Sequence, residues 1–137
     1  MNHNTFPRPN GFDLPTGIVF DPVNQVFVVA NSLLNSVGFV APSTAIAGFA
    51  QVGMNPTALD YNYQTSTLVT ANNASSTLSI IDYLCPPTIA ANCPAPEVRS
   101  ILALGGSPQF SVAIDPRLNL AVLADQSNNR LLLIPLP

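Results

Sequence analysis

Apolar residues along this chain come in short runs, separated at close intervals by Asn, Asp, Ser, Gly and Pro. Ile18–Phe20, Val26–Ala30, Val37–Val40 and Ile46–Val52 follow one another in this way, with turn-forming pairs such as Asp21-Pro22 and Asn31-Ser32 between them. Runs this short, rich in Val, Ile and Phe, predict β-strands joined by tight turns and argue against helices. The inner runs VFVVA, AVLA and LLLI are apolar on consecutive residues, which predicts sheets covered on both faces.

The pattern recurs at a fixed phase. Pro15–Val40 (PTGIVFDPVNQVFVVANSLLNSVGFV), Pro56–Ile81 (PTALDYNYQTSTLVTANNASSTLSII) and Gln109–Ile134 (QFSVAIDPRLNLAVLADQSNNRLLLI) superpose without a gap. Asp21, Asn62 and Asp115 share one column, and Asn31, Asn72 and Asp125 share a second, each behind an alanine (Ala30, Ala71, Ala124). Val37, Leu78 and Leu131 align, as do Phe39, Ile80 and Leu133. The first two units are 41 residues apart and the last two 53, the surplus falling on the loop around Cys85 and Cys93. A further run, Ile46–Val52 and Val98–Leu104, closes the first two units, so a unit supplies four strands, a to d. Four-stranded sheets repeating at about 40 to 50 residues are propeller blades. The expected fold is all-β, a partial β-propeller of about three four-stranded antiparallel blades.

On these residues the units resemble the YVTN and NHL class of propeller repeats. The carriers are Pro15-Thr16-Gly17, the strand and Asp-Pro turn at Asp21, the segment VVANSLLNSVGFV, and the final ADQSNNRLLLI over 124–134, which is similar to the NHL form. The resemblance spans nearly the whole chain and implies the blade; about activity it implies little, because such propellers include binding scaffolds, lactonases and lyases. In gluconolactonase-like propellers Asn or Asp at the start of the inner strands holds calcium. Here those positions are Thr16, Thr57 and Phe110 or Ser111, none a carboxylate, which counts against a calcium-dependent lactonase.

The units divide the chain into residues 1–14, a candidate outer strand of a preceding blade; 15–55, the first blade; 56–107, the second, with the Cys85–Cys93 insert; and 108–137, a third lacking its outer strand. Three blades cannot close a ring. The abrupt end is expected of a fragment of a longer propeller, and the stagger of the two ends would alternatively let a second copy complete six blades. Either way, an isolated arc should expose two apolar blade faces, a surface for assembly or aggregation.

Composition narrows the partners. Charged residues make up 8% of the chain, lysine is missing, and four arginines face seven acids for a net charge of −3. Phosphate neutralisation has no basis here, so nucleic acid is not an expected partner. No apolar run approaches the roughly 20 residues of a membrane-spanning helix, so no membrane span is expected. Met1–Leu14 shows no apolar core behind a basic start, so a leader is not present in this sequence.

Cys85 and Cys93 bracket the loop CPPTIAANC, where a disulfide would add roughly 2–3 kcal/mol. Two unpaired thiols are the alternative, and zinc would need about four ligands where the chain has a single, distant His3. A disulfide implies a secreted or periplasmic location. No catalytic residues, metal or cofactor are expected: no Gly-x-Ser-x-Gly turn occurs, and Gly105-Gly106 has no helix after it. The first column reads as turn-terminating Asp and Asn. The second column, Asn31, Asn72 and Asp125, lies in the b–c connection where ligands commonly bind and, with Arg130, is the candidate ligand-binding set. The expected function is non-enzymatic, a binding or scaffold segment that recognises protein or carbohydrate through its loop face. The alternative is a fragment of a lactonase-like or lyase-type propeller enzyme with its catalytic residues in other blades. A channel filled by Ile18, Phe20, Leu59 and Ile114 would favour the scaffold; an acid-lined mouth holding calcium would favour the enzyme.

Overall fold

The computed structural model describes residues 11–41, 46–85, 96–105 and 110–137. Their strands form three antiparallel sheets, each running in simple up-and-down order. The first holds β1 (Pro15–Asp21), β2 (Val26–Asn31), β3 (Ser36–Ala41) and β4 (Ile46–Gln51); the second holds β5 (Pro56–Asn62), β6 (Thr67–Asn72), β7 (Thr77–Asp82) and β8 (Glu97–Ala103). The third comprises β9 (Phe110–Asp115), β10 (Leu120–Asp125) and β11 (Arg130–Pro135). The first strands of the sheets, β1, β5 and β9, lie beside one another, so the sheets fan out as blades of a partial propeller. No α-helix occurs among the described residues, and no helix is long and apolar enough to cross a membrane.

The turns are copied from blade to blade. The a–b turn ends in a left-handed residue in every blade, Gln25, Ser66 and Asn119, and the b–c turn does the same at Asn35, Ser76 and Asn129, with φ between 50° and 57°. That conformation costs a non-glycine residue roughly 1–2 kcal/mol and is easiest for Asn, which fills three of the six places. The strap entering a blade also repeats: the N–H groups of Ser32 and Leu33 donate to the carbonyls of Leu14 and Asp13, and those of Asn73 and Ala74 donate to Asn55 and Met54. Residues 11–14 therefore enter the first blade along the path that 52–55 take into the second. The remainder of the candidate outer strand, residues 1–10, lies outside the described residues.

Apolar packing runs between blades. Val28, Ala30, Val37 and Phe39 of the first blade meet Leu59, Tyr61, Leu68 and Ile81 of the second. On the opposite face of the second blade, Val69, Ala71, Leu78 and Ile80 meet Ala121 and Leu123 of the third. Only the middle blade is covered on both sides, and all six residues of its β6 are buried. The consecutive apolar runs of the outer blades promised the same, but in the first blade, whose β3 is fully buried, one face is open over β1 and β2, and in the third it is open over β10 and β11. Ile18 (64% exposed) and Phe20 (42%) project from the first blade, and Leu131 (65%) and Leu133 (62%) from the third.

Ile18, Phe20, Leu59 and Ile114, whose joint filling of a channel would have favoured the scaffold, do not come together. A strand's side chains alternate between the two faces of its sheet, and in a radial blade those faces look at neighbouring blades. Leu59 accordingly belongs to the first blade interface, Ile114 to the second, and Ile18 and Phe20 to the open face. The outer part of that face is covered by Phe12, whose ring lies 5.2 Å from that of Phe49 and occupies the space a side chain at Gly38 would need.

Gly17 marks a close approach of two blades: a Cβ built there would stand 2.8 Å from the carbonyl oxygen of Thr57. Backbone cannot give way as a side-chain tip can. Gly17→Ala should destabilise the chain by about 1–3 kcal/mol, read as a lower urea midpoint at unchanged slope; an unaltered midpoint would contradict this packing.

Candidate functional site

The two polar columns are the natural place to look for chemistry, and both are largely buried: Asp21, Asn62, Asn31, Asn72 and Asp125 are almost inaccessible to water. In the first column each side chain closes its own a–b turn. Asp21 Oδ1 accepts from the N–H of Val23 (2.9 Å) and Asn24 (3.1 Å), Asn62 Oδ1 from Gln64 (3.0 Å), and Asp115 Oδ1 from Arg117 (2.9 Å) and Leu118 (3.3 Å). This is the local Asx geometry that favours these residues at turns.

The same side chains also peg adjacent blades together. Tyr83 Oη, from the second blade, donates to Asp21 Oδ2 at 2.9 Å, and Asn62 Nδ2 donates to Asn119 Oδ1 of the third blade at 2.8 Å. Tyr83 stacks near Phe39 and Tyr61, each with ring centroids 5.0 Å away. Burial pushes its phenol far above the usual tyrosine range, and the neighbouring Tyr61 and the Asp21 charge add to that. It therefore stays a donor. Tyr83 carried no signal in the repeat, because its column holds Pro42 and Leu136 in the other units.

In the first blade the second column binds the strap that leads in, whereas Asn72 Oδ1 and Asp125 Oδ1 are buried without a hydrogen-bond partner. Asn31 Oδ1 accepts from the N–H of Asp13 (2.6 Å), and its Nδ2 donates to the Gly11 carbonyl (2.7 Å) and to Ser36 Oγ (3.1 Å). Asn72 Nδ2 donates to Thr77 Oγ1 (3.1 Å) and Ser79 Oγ (2.9 Å), with Gly53 pressed against it so closely that a Cβ would fall 2.5 Å from that nitrogen. In the third blade Arg130 takes over the contact with the strap. Its Nε donates to Asp125 Oδ2 (2.8 Å) while Nη2 donates to the carbonyls of Leu104 (3.0 Å) and Gly105 (3.3 Å). Of the candidate ligand-binding residues, the structure brings together Asp125 and Arg130, which line a cleft of about 370 Å³; Asn31 and Asn72 sit in their own blades.

What the rim offers to a partner is apolar. Leu33 and Leu34 in the first b–c turn, Leu14 before the first blade and Met54 before the second are all exposed. They lie on one end of the blades, tied by the Leu33 N–H to the Asp13 carbonyl and by the Asn55 N–H to Asn35 Oδ1 at 2.9 Å. The frame beneath is fixed across blades: Ser32 Oγ donates to the Pro56 carbonyl (2.5 Å) and pairs with Thr16 Oγ1 (2.7 Å). These rim residues were missed in the columns, although apolar residues inside the turns SLLN and GMNP were a visible signal. At the opposite end, a cleft of about 380 Å³ is lined by Thr65, Thr67, Asp82, Glu97 and Arg99, with an Arg99–Asp82 ion pair at its edge. Exposed pairs of this kind contribute little to stability. No cluster of three metal-ligating side chains occurs among the described residues. Cys85 is not free, and Cys93, its expected partner, lies outside the described residues.

No protein-family model matches the sequence, and no curated protein matches it. Solved structures do. The chain is similar to part of a crystal structure of a mitotic checkpoint complex, with TM-score 0.72, 12% identity, and 89% of this chain and 36% of that chain covered. Hydrazine synthase of Kuenenia stuttgartiensis matches with TM-score 0.60 and 16% identity over 93% of this chain and 38% of that one. The β-propeller domain of Cps50 (Swd1) from Myceliophteria thermophila matches with TM-score 0.56 and 10% identity over 90% and 43%. At these identities the likeness establishes the propeller fold, and the chain spans less than half the length of each.

Asp125 gives a pH signature to the strap contact. Burial works to raise its carboxyl, but hydrogen bonds from Asn128 and Arg130 and the Arg130 charge overcome this and hold it below the usual carboxylate range. A depressed folded value means the unfolded chain binds more protons between the two pKa values. The contribution is thus complete above about pH 4 and lost as pH falls further. The melting-temperature gap between the parent and Asp125→Asn should be constant from pH 7 to about 4 and shrink below; a gap independent of pH throughout would contradict the assignment.

Proposed function

We propose that this chain is a recognition segment of a β-propeller of the YVTN/NHL repeat class, binding a protein through the end of the blades that carries the b–c turns and the straps. The observation that supports it is the contrast at that rim. Asn31 and the first-column residues Asp21 and Asn62 hold a strap and the a–b turns from enclosed positions, while Leu14, Leu33, Leu34 and Met54 stand out from that rigid frame into solvent. Exposed apolar side chains on a pre-organised support gain contact area without a large ordering cost, which is how binding anchors work. Arg130, half-exposed beside the Asp125 cleft, is a polar contact at the same rim. Protein partners are in keeping with a chain similar to part of a mitotic checkpoint complex.

A peptide library displayed on phage and selected on the immobilised chain should yield binders that weaken at least about tenfold on Leu33→Asp/Met54→Asp. The same binders should be unaffected by Val23→Asp/Tyr63→Asp, which alters the a–b turns at the other end. Binders sensitive only to the second pair would refute the rim assignment. We further place the segment in an oxidising, extracytoplasmic setting, with Cys85 joined to Cys93. Thiol titration of unreduced, denatured protein should find none of the two cysteines reactive; two reactive thiols would remove both claims.

A further inference from the structure

The two blade-to-blade interfaces are built from the same columns but not from the same chemistry. Side chains alternate between the two faces of a strand, so Leu68, Thr70 and Asn72 of β6 look toward the first blade while Val69 and Ala71 look toward the third. Ser79 stands directly opposite Thr70 on β7, and Thr57, next to an Ala58 that packs on the third blade, belongs to the same side. At the second interface the columns of Thr70 and Ser79 hold Leu123 and Leu132, which join the apolar core. The first interface thus carries a hydroxyl-lined patch where the second carries two leucines.

That patch is closed to solvent, and its polar atoms do not satisfy one another. Thr57 Oγ1, Thr70 Oγ1 and Asn72 Oδ1 are all buried without a hydrogen-bond partner. Ser79 Oγ accepts from Asn72 Nδ2 (2.9 Å) and from the Gly53 N–H (3.2 Å), so its own O–H must point elsewhere. Opposite them the first blade sets Gly17 and Ala30, which bring no polar side chain. Buried polar groups left unpaired are rare and costly, and three on one face of one sheet call for a shared partner.

The atoms limit what that partner is. Asn72 Oδ1 can only accept, while the hydroxyls can donate or accept, so the occupant must be able to do both. No carboxylate stands among the four residues to balance a cation, and an anion would be repelled by Asn72 Oδ1. Thr70 and Ser79 are smaller than the leucines in their columns, by a difference that suits a molecule the size of water. We infer that the first interface holds a buried water site, in which water donates to Asn72 Oδ1 and bonds to the hydroxyls of Thr70 and Thr57. An enclosed water typically makes about three hydrogen bonds, and these three atoms supply them. One interface of the arc is then hydrated and the other dry. The inference concerns the interior between two blades and does not rest on the rim reading above.

A crystal structure at a resolution that orders solvent should place a water within hydrogen-bonding distance of Asn72 Oδ1 and of at least one of the two threonine hydroxyls. A dry pocket would overturn the site, as would hydroxyls turned into direct bonds with one another or with Ser79. Thr70→Val gives an independent measure in solution. It keeps the shape of the side chain, and Val29 already fills that column in the first blade. Because it removes a bond to bound water, the variant should unfold at a lower urea midpoint than the parent at unchanged slope. An equal or higher midpoint would mean that the hydroxyl is buried dry, and would overturn the site as well.

Discussion

Everything in this structure depends on apolar contact between sheets that cannot bury both of their faces alone. A four-stranded blade is thin: each strand sends alternate side chains to opposite sides, so half the apolar residues of any blade need a neighbour. The middle blade has two neighbours and buries Thr67–Asn72 completely, whereas the outer blades have one each and leave Ile18, Phe20, Leu131 and Leu133 in water. Burying a side chain of that size is favourable by about 1.5–3 kcal/mol. Stability in such an array is close to a sum over interfaces, and the arc has two.

Given that dependence, the polar residues make sense as a positioning system. Apolar faces slide easily; hydrogen bonds with fixed geometry do not. The Tyr83–Asp21 and Asn62–Asn119 bonds sit at the turn end of the blades, and the Ser32, Thr16 and Pro56 contacts sit at the strap end, so each interface is pinned near the edge of its apolar core. Buried and paired, these groups discriminate one register of the blades from another, because a shifted register would leave them unsatisfied at a cost of about 1–3 kcal/mol each.

The blades and their phase were legible in the sequence because both depend on local rules: turn residues at fixed intervals, β-branched runs, and columns that survive superposition. What each column does was less legible. Ile18 and Leu59 occupy one column, yet one is solvent-exposed and the other buried, since exposure is decided by which blade stands next to them and not by the residue. Asn31, Asn72 and Asp125 stood out as candidate ligands because they recur in a loop; in the structure Asn31 holds its strap, Asn72 turns to Thr77 and Ser79, and Asp125 orients the Arg130 that reaches the third strap. Tyr83 was invisible because a peg needs only one good partner and its column is otherwise Pro42 and Leu136.

The division between frame and rim bears on how function can vary on this fold. The frame columns must be kept, since their side chains close the turns or hold the strap and all but Asp115 are enclosed. The residues between them, Ser32-Leu33-Leu34, Asn73-Ala74-Ser75 and Gln126-Ser127-Asn128, share a backbone path that ends in the same left-handed residue and yet differ in almost every side chain. Substitution at the tips therefore changes what the rim displays while leaving the turn intact. The leucines of the first blade are the one place where that freedom has been used to set large apolar groups in water, at a cost in solubility that no contact within the described chain offsets. A binding partner is the physical reason to keep them there.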